Sequence, residues 1–358
     1  MSTAPSDELL QAPLVSVVLL NFNGERLAPL WESIFQDDYS RKEVIFVDNG
    51  SKDKSVEAFN ELARRYPTVD SRVVRLWKNV GYSGGNNAGY EESRGELICL
   101  LSNDVRVSRD WIEPVVSLFS RNPQIAIVQS HLYRLNDPTV EDEPTNSVDP
   151  FGFNHPLGPL GCGLESREVF YSEGSVMFVR RSLISELGYL FPPDYFMMFE
   201  DADLCWRARL RGFRSVVSLN SKVYHARGAT EPGKYVRRNI RLVSLSTRNR
   251  LATLYTNYSV HNAVLFIPCA IAIELAKTIG LASKGYTSQA VAVVKGVVQF
   301  LGALQELSVR RRVVQCRRTV KDRTVMKLME NPIKGLAKTI GYWGPALRDL
   351  EKQFLRSP

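Results

Sequence analysis

The apolar positions between Leu14 and Leu101 come in short unbroken runs: Leu14-Val-Ser-Val-Val-Leu-Leu-Asn21, Glu43-Val-Ile-Phe-Val-Asp48, Arg72-Val-Val-Arg-Leu-Trp77 and Glu96-Leu-Ile-Cys-Leu-Leu101. Apolar, β-branched runs with little polar alternation are the pattern of strands buried on both faces. Between them lie stretches with helical spacing, about 26–35, 55–66 and 88–94. This β-α-β-α-β alternation predicts a parallel sheet with helices on both faces. In such sheets ligands sit beyond the carboxyl ends of the strands, and Asn21, Asp48, Asn79 and Asp104 fall at or just past those ends.

The pattern then loosens. Residues 135–163, rich in Pro, Gly, Asn and Asp, predict a long irregular loop of the kind that often binds or covers a ligand. Strand character returns at 174–180, a short helix at 182–187, a helix from about 202 to 211 stopped by Gly212, then strands near 214–219 and 223–228. From about Lys234 onward the chain reads as helical. The run VLFIPCAIAIELAKTIGLA is interrupted by Pro268, Glu274 and Lys277, and the run QAVAVVKGVVQFLGAL carries Lys295. Neither makes a clean 18-residue apolar span, so helices lying at a membrane interface are expected, with a helical subdomain packed on the core and a true transmembrane span as the alternatives. The expected division is a disordered segment 1–13, an α/β domain 14–255 and a helical, basic, membrane-associating region 256–358.

Charge sharpens the last point. The net charge is +8 over 358 residues, and the stretch from Gln305 to Pro358 holds thirteen Lys/Arg against five Asp/Glu, the whole of that excess. A basic tail seeks an anionic partner. Nucleic acid is disfavoured, because Arg310-Arg-Arg312 and Arg317-Arg318 are interspersed with Val and lack aromatic stacking residues. The five cysteines (99, 162, 205, 269 and 316) are scattered without a CxxC pair, which argues against a zinc site or disulfide framework and favours a reducing compartment. The opening MSTAPSDELLQAP has no basic segment leading into an apolar core, so no signal peptide is expected.

Four stretches carry candidate chemistry. Asp48-Asn-Gly-Ser-Lys-Asp53 puts a carboxylate at a strand end before a tight turn, where it suits a base or ribose, or simply an Asn-Gly turn. Asn79-Val-Gly-Tyr-Ser-Gly-Gly-Asn-Asn-Ala-Gly89 reads as a flexible loop whose backbone can approach a phosphate closely. Its spacing is neither GxGxxG nor that of a Walker loop. Ser102-Asn-Asp104 closes a buried strand with a carboxylate able to hold a divalent cation, and His225 is a possible further ligand. Finally, Glu200, Asp201 and Asp203 crowd three carboxylates against the apolar Phe196–Phe199 at a helix start. The helix dipole and an i,i+4 pair from Asp203 to Arg207 account for part of that charge.

In this order, VSVVLLNFNG, VIFVDNGSKD, NVGYSGGNNAGY, LLSNDVRV, FEDADLCWRARLRGF and STRNR resemble a family 2 glycosyltransferase with the GT-A fold, rhamnosyltransferase-like, from about Leu14 to Arg250. The resemblance implies an α/β GT-A sheet followed by a helical region. It implies donor contacts at Asn21, Asn23, Asp48, Asn49, Asn79, Gly81, Gly85, Asn86 and Asn103. It implies a divalent cation, Mg²⁺ or Mn²⁺, held by Asp104 and His225, with Ser102 standing where the family's DxD motif has its first Asp. Asp201 matches the catalytic base, with Glu200 beside it, and Asp203 and Trp206 are expected at the acceptor. The implied reaction is inverting transfer from a nucleotide-sugar donor to a lipid-linked or oligosaccharide acceptor. It is expected at the cytoplasmic face of a membrane, peripheral to an anionic surface, and without nucleic acid. A polyprenyl-phosphate glycosyltransferase and a non-catalytic nucleotide-sugar-binding protein are the alternatives.

Overall fold

A computed structural model describes residues 12–142, 147–158, 164–226 and 240–339. Cys162, the end of the basic tail and all but the last two residues of the segment expected to be disordered lie outside the described residues. The four buried runs form strands β1 (Val15–Asn21), β2 (Lys42–Asp48), β3 (Asp70–Arg75) and β4 (Leu97–Ser102). They are parallel in the order β4-β1-β2-β3. The register sets Asn21 opposite Asp48, so both polar residues end their strands at the same edge.

Later strands follow, most of them extending the sheet. They are β5 (Val105–Val107), β6 (Ile125–Arg134), β7 (Asp137–Glu141), β8 (Ser147–Val148), β9 (Asn154–His155), β10 (Ser166–Val169), β11 (Val176–Arg180) and β12 (Arg214–His225). The main path runs β10-β12-β6-β11-β4-β1-β2-β3, with β5 against β12, β7 against β6, and β8-β9 as a separate pair. Two expectations are corrected here. The two short strands expected near 214–219 and 223–228 are one strand, β12, with an irregularity between Ser218 and Lys222, and Arg227 and Gly228 lie outside the described residues. The long loop of 135–163 contains β7, β8 and β9.

Both sheet faces are covered, as the unbroken apolar runs require. Val15, Val17 and Leu19 face a core shared with α1 (Ala28–Phe35), α2 (Ser55–Arg65) and the helix Glu113–Arg121, and Val18 and Ile45 face the opposite core. On that second face lies α3 (Gly81–Glu91). This is the largest correction to the sequence reading: the Gly/Asn stretch expected as a loop is itself a helix. Gly85 and Gly89 stand four residues apart where the helix presses onto the sheet. A Cβ at Gly85 would stand 2.4 Å from Leu20 Cδ1, and one at Gly89 2.3 Å from Val18 Cγ1. A glycine stripe costs helix propensity, and the close helix-on-strand approach offsets it.

The remaining helices are α4 (Glu113–Arg121), α5 (Arg181–Leu187), α6 (Glu200–Leu210), α7 (Ile240–Asn257), α8 (Val260–Ser283), α9 (Thr287–Gly302) and α10 (Leu304–Cys316). Helix α7 packs against α6, α8, α9 and α10, so it joins the α/β part to the helical part. The boundary expected between residues 255 and 256 falls within its last turn. The run interrupted by Pro268, Glu274 and Lys277 is nevertheless one 24-residue helix, long and apolar enough to cross a membrane. Glu274, buried on its inner face, pairs with Arg250 of α7 at 2.6 Å.

Candidate active site

The strand ends are tied by side-chain hydrogen bonds. Asn21 is fully buried, and its amide donates to Ser51 Oγ (3.2 Å) and Ser55 Oγ (2.9 Å). Its side-chain oxygen accepts from Asn103 Nδ2 at 2.8 Å. The Asn103 carbonyl accepts from Trp31 Nε1 at 2.9 Å. Asn21 and Asn103 therefore lock the ends of β1 and β4 together, with no hydrogen left on the Asn21 amide for a ligand. Asn23, exposed and at φ 51°, accepts the Lys52 N–H, and the Asp48 carboxylate accepts the Ser51 N–H at 3.0 Å.

Asn49 and Asn79 work on the entry to α3. Asn49 Nδ2 donates to the Gly81 carbonyl at 3.0 Å and its oxygen accepts the Val80 N–H at 2.9 Å, while Asn79 Oδ1 accepts the Gly81 N–H at 2.8 Å. Gly81, at φ +83°, must be glycine: a Cβ there would stand 2.0 Å from the Phe196 carbonyl oxygen. Asn86 donates to the Tyr82 carbonyl, and its buried oxygen has no hydrogen-bond partner.

Asp104 and His225 meet because β5 pairs with the end of β12, setting His225 opposite Val105. His225 Nε2 lies 3.4 Å from Asp104 Oδ1, and its Nδ1 lies 3.1 Å from Asp142 Oδ2. Burial alone would lower the imidazole pKa, but the two carboxylates outweigh it and push it up to about 9. Two ligands of one octahedral cation stand roughly 3 Å apart, so a carboxylate and an imidazole at this separation fit a shared Mg²⁺ or Mn²⁺. Binding there would displace the proton. Among the described residues no cluster of three or more His, Cys, Asp or Glu assembles, so the rest of the coordination would come from a ligand or solvent. Asp142, which steadies the outer ring nitrogen, was missed in the sequence because nothing in its Asp/Pro-rich surroundings marks it.

The carboxylate cluster divides on folding. Asp203 is fully buried, bound by Arg207 Nε (2.7 Å) and Asn257 Nδ2 (2.9 Å). Trp206 is buried edge-on against Phe170 and Tyr258. Both belong to the seam between α6 and α7, which leaves neither a surface on which an acceptor would rest.

Glu200 and Asp201 lie at the other side of that helix start. Asp201 accepts the Ala202 N–H (2.7 Å) and the Gly174 N–H (3.3 Å). The adjacent Ser175 carbonyl accepts the Ser102 N–H at 3.0 Å, so one dipeptide links Asp201 to the strand end that carries Asp104. Burial pushes the Asp201 carboxyl up to about 6 against the pull of the Ala202 N–H, and Glu173 adds repulsion. Glu200 is pushed well above the usual range by burial first and then by Asp201, and its Oε2 has no hydrogen-bond partner. The hydroxyl of Tyr82, in the first turn of α3, donates to the Gly174 carbonyl and feels both carboxylates, which puts the pair beside α3. The site can thus present one carboxylate poised near neutrality next to a candidate cation pair.

Residues 16–188 match the family described as Glycosyl transferase family 2. A low-salt glycan biosynthesis hexosyltransferase, Agl10 of Haloferax volcanii, is 26% identical over 204 residues, covering 54% of this chain and 61% of that protein. A glucosyl-dolichyl phosphate glucuronosyltransferase of the same organism is 24% identical, covering 49% of this chain and 55% of that protein. The chain thus spans little more than half the length of these curated relatives. A mannosyltransferase from Pyrobaculum calidifontis, solved with GDP-Man and Mn²⁺, superposes with a TM-score of 0.52 at 18% identity, over 81% of this chain and 87% of that one. With the parallel sheet and the paired strand ends, these likenesses identify residues 16–188 as a glycosyl transferase family 2 domain on a GT-A fold.

Proposed function

We propose that the chain is an inverting glycosyltransferase that moves a sugar from a nucleoside-diphosphate sugar to a hydroxyl of a lipid-linked glycan acceptor at a membrane surface. The observation that carries this reading is Asp201, a carboxylate with a pKa near 6, hydrogen-bonded through the Gly174-Ser175 link to the Asp104 strand end. Asp201 takes the acceptor's hydroxyl proton as that oxygen attacks the anomeric carbon. Burial and Asp201 push the Glu200 carboxyl well above its usual range, so of the pair Asp201 carries the negative charge more readily. Asp104 and His225 would hold the divalent cation, which when bound neutralises charge on the departing diphosphate. Asp48 and Asn23 stand at the nucleotide end. Asn21, Asn49, Asn79 and Asn103 act by fixing the strand ends and the entry to α3, and Gly81 and Gly85 by letting α3 sit close. The donor class includes dTDP-rhamnose alongside UDP- and GDP-sugars.

Membrane association rests on the outer faces of α8 and α9. Val264, Leu265, Leu275 and Ile279 on α8, and Val291, Val294, Val298 and Leu301 on α9, are exposed at helical spacing. The Glu274–Arg250 pair ties the middle of α8 to α7, which is packed into the α/β core through Asn257 and Asp203. A bilayer-crossing α8 would carry that domain into hydrocarbon, so α8 is read as lying along the surface, at the cytoplasmic face where nucleotide sugars are made. The name of one Haloferax relative, a glucosyl-dolichyl phosphate glucuronosyltransferase, supports a lipid-linked acceptor. The same apolar stripe also favours a second reading, in which a polyprenyl phosphate is the direct acceptor.

One experiment tests the donor and the surface together. Purified protein with Mn²⁺ is screened against UDP-, GDP- and dTDP-sugars by thermal shift and donor hydrolysis, with sedimentation on vesicles rich in anionic lipid. Stabilisation and hydrolysis by one donor, and sedimentation lost in Val264→Gln/Ile279→Gln, are expected. A chain that binds a donor but hydrolyses none is a non-catalytic nucleotide-sugar-binding protein, and one that neither binds nor hydrolyses any donor refutes the transferase reading.

A further inference from the structure

The start of α6 is reached through an unusual piece of backbone. Met198 (φ 80°) and Phe199 (φ 72°) lie in the left-handed region in succession, directly before Glu200. Residues with a side chain rarely enter that region, and two in a row persist only where the surroundings impose them. Among the described residues Asn23 is the sole other non-glycine at positive φ.

The carbonyls of this turn show what imposes it. Phe196 accepts from the Ser83 N–H at 3.3 Å, so the turn begins against α3. Phe199 accepts from the Asp203 N–H at 2.9 Å, the first hydrogen bond of α6. The two between them, Met197 and Met198, both accept from one side chain: Asn249 Nδ2 of α7, at 3.1 Å and 3.0 Å.

Asn249 is itself fixed on every side. It is fully buried. Its side-chain oxygen accepts from Arg248 Nη1 at 2.9 Å, and its backbone carbonyl accepts from Tyr195 Oη at 2.9 Å. Arg248 also holds Asp194, which Arg310 of α10 holds from the other side. The amide orientation follows from chemistry, since the reverse would set an oxygen against two carbonyls and an NH₂ against a guanidinium.

We propose that Asn249 is a positioning residue for the catalytic carboxylates: by holding the Met197 and Met198 carbonyls it keeps the left-handed turn that sets Glu200 and Asp201 at the start of α6. This rests on the reading of Asp201 as the base. Aspartate at 249 would face the carbonyls with oxygen, and alanine would leave both without a donor. The role assigns a function to the STRNR stretch, which lies beyond the matched family residues 16–188. Asn249 touches neither reacting atom; it acts through the turn.

The test uses the full chain with Mn²⁺ and the UDP-, GDP- and dTDP-sugars of the donor screen. Asn249→Ala and the isosteric Asn249→Asp should each lower the hydrolysis kcat tenfold or more, with nucleotide affinity within about twofold of the unchanged protein. Amide exchange should quicken across residues 195–203. Adding Met198→Gly and Phe199→Gly to Asn249→Ala removes the steric penalty on the left-handed turn and should restore the rate at least threefold. Unchanged kcat and exchange in Asn249→Asp, or no recovery with the two glycines, would overturn the proposal. If the unchanged protein turns over no donor, the transferase reading fails, and the exchange across 195–203 still decides whether Asn249 holds the turn.

Discussion

Asp201→Asn separates stability from catalysis. In the folded chain the Asp201 carboxyl is raised from 3.8 to about 6. The fold therefore disfavours its ionised form by about two pKa units, roughly 3 kcal/mol at 1.36 kcal/mol per unit. The sign follows from proton counting: between pH 3.8 and 6 the folded state binds more protons than the unfolded one, so stability falls as pH rises through that window and stays lower above it. Asparagine has the same shape and no charge. Its amide accepts only one of the two N–H bonds now made by Ala202 and Gly174, an offset of about 1 kcal/mol. The net expectation is a gain of roughly 2 kcal/mol at pH 7.5, a rise of several degrees in Tm, shrinking toward zero or reversing near pH 4. Transfer, meanwhile, is lost, because the amide takes no proton at neutral pH. Calorimetry at pH 7.5 and 4.5, with nucleotide affinity and donor turnover on the same samples, checks all three. A variant that keeps its turnover refutes the base assignment. One destabilised at pH 7.5 as much as at 4.5 refutes the claim that the site holds its carboxylate at a cost.

Two further perturbations test other parts of the site. Asp104→Ala and His225→Ala should each abolish the Mn²⁺-dependent part of the thermal shift caused by nucleotide, leaving the metal-free melting temperature within a few degrees of the unchanged protein. A Mn²⁺ response that survives both would exclude that pair as the cation site. Gly89→Ala sets a methyl 2.3 Å from Val18 Cγ1 and 2.8 Å from Val47 Cγ2, two stiff β-branched neighbours, and should cost about 1–3 kcal/mol in denaturant unfolding despite alanine's better helix propensity. A stabilised variant would show that the helix can lift off the sheet freely.

The sheet was legible because its signal is one-dimensional. Val15 to Asn21 is apolar at both parities, and only a strand covered on both faces needs that. Asp48 and Asp104 followed from the same rule, as polar residues closing such strands. The α3 stretch was misread for a physical reason. Glycines at 81, 85 and 89 predict flexibility when taken one at a time, and they gain meaning only once the Phe196 carbonyl is known to lie against Gly81, Leu20 against Gly85, and Val18 and Val47 against Gly89. Asp203 and Trp206 look alike with Asp201 in sequence, yet successive helix positions point about 100° apart, and Arg207 and Asn257 claim Asp203 for the core. Asp142 and Asn249 reach their partners across 83 and 51 residues of chain, and no local pattern encodes such contacts.

Helix α7 draws these separate features together. One end of its packing is with α6, where Asn257 holds Asp203, and two turns earlier Asn249 holds the turn before Glu200. The next residue, Arg250, reaches the other way, to Glu274 in the middle of α8 and to the Phe151 carbonyl. Neighbouring side chains of one helix thus grip the turn before Glu200 and the helix that carries the outward apolar stripe. Deleting residues 256–358 to test membrane association would therefore strip the partners of α7 and disturb the carboxylates at the same time. Substitutions confined to the outward stripe leave the Arg250–Glu274 pair and the Asn249 bonds in place. They are the changes whose effect on sedimentation can be read apart from their effect on turnover.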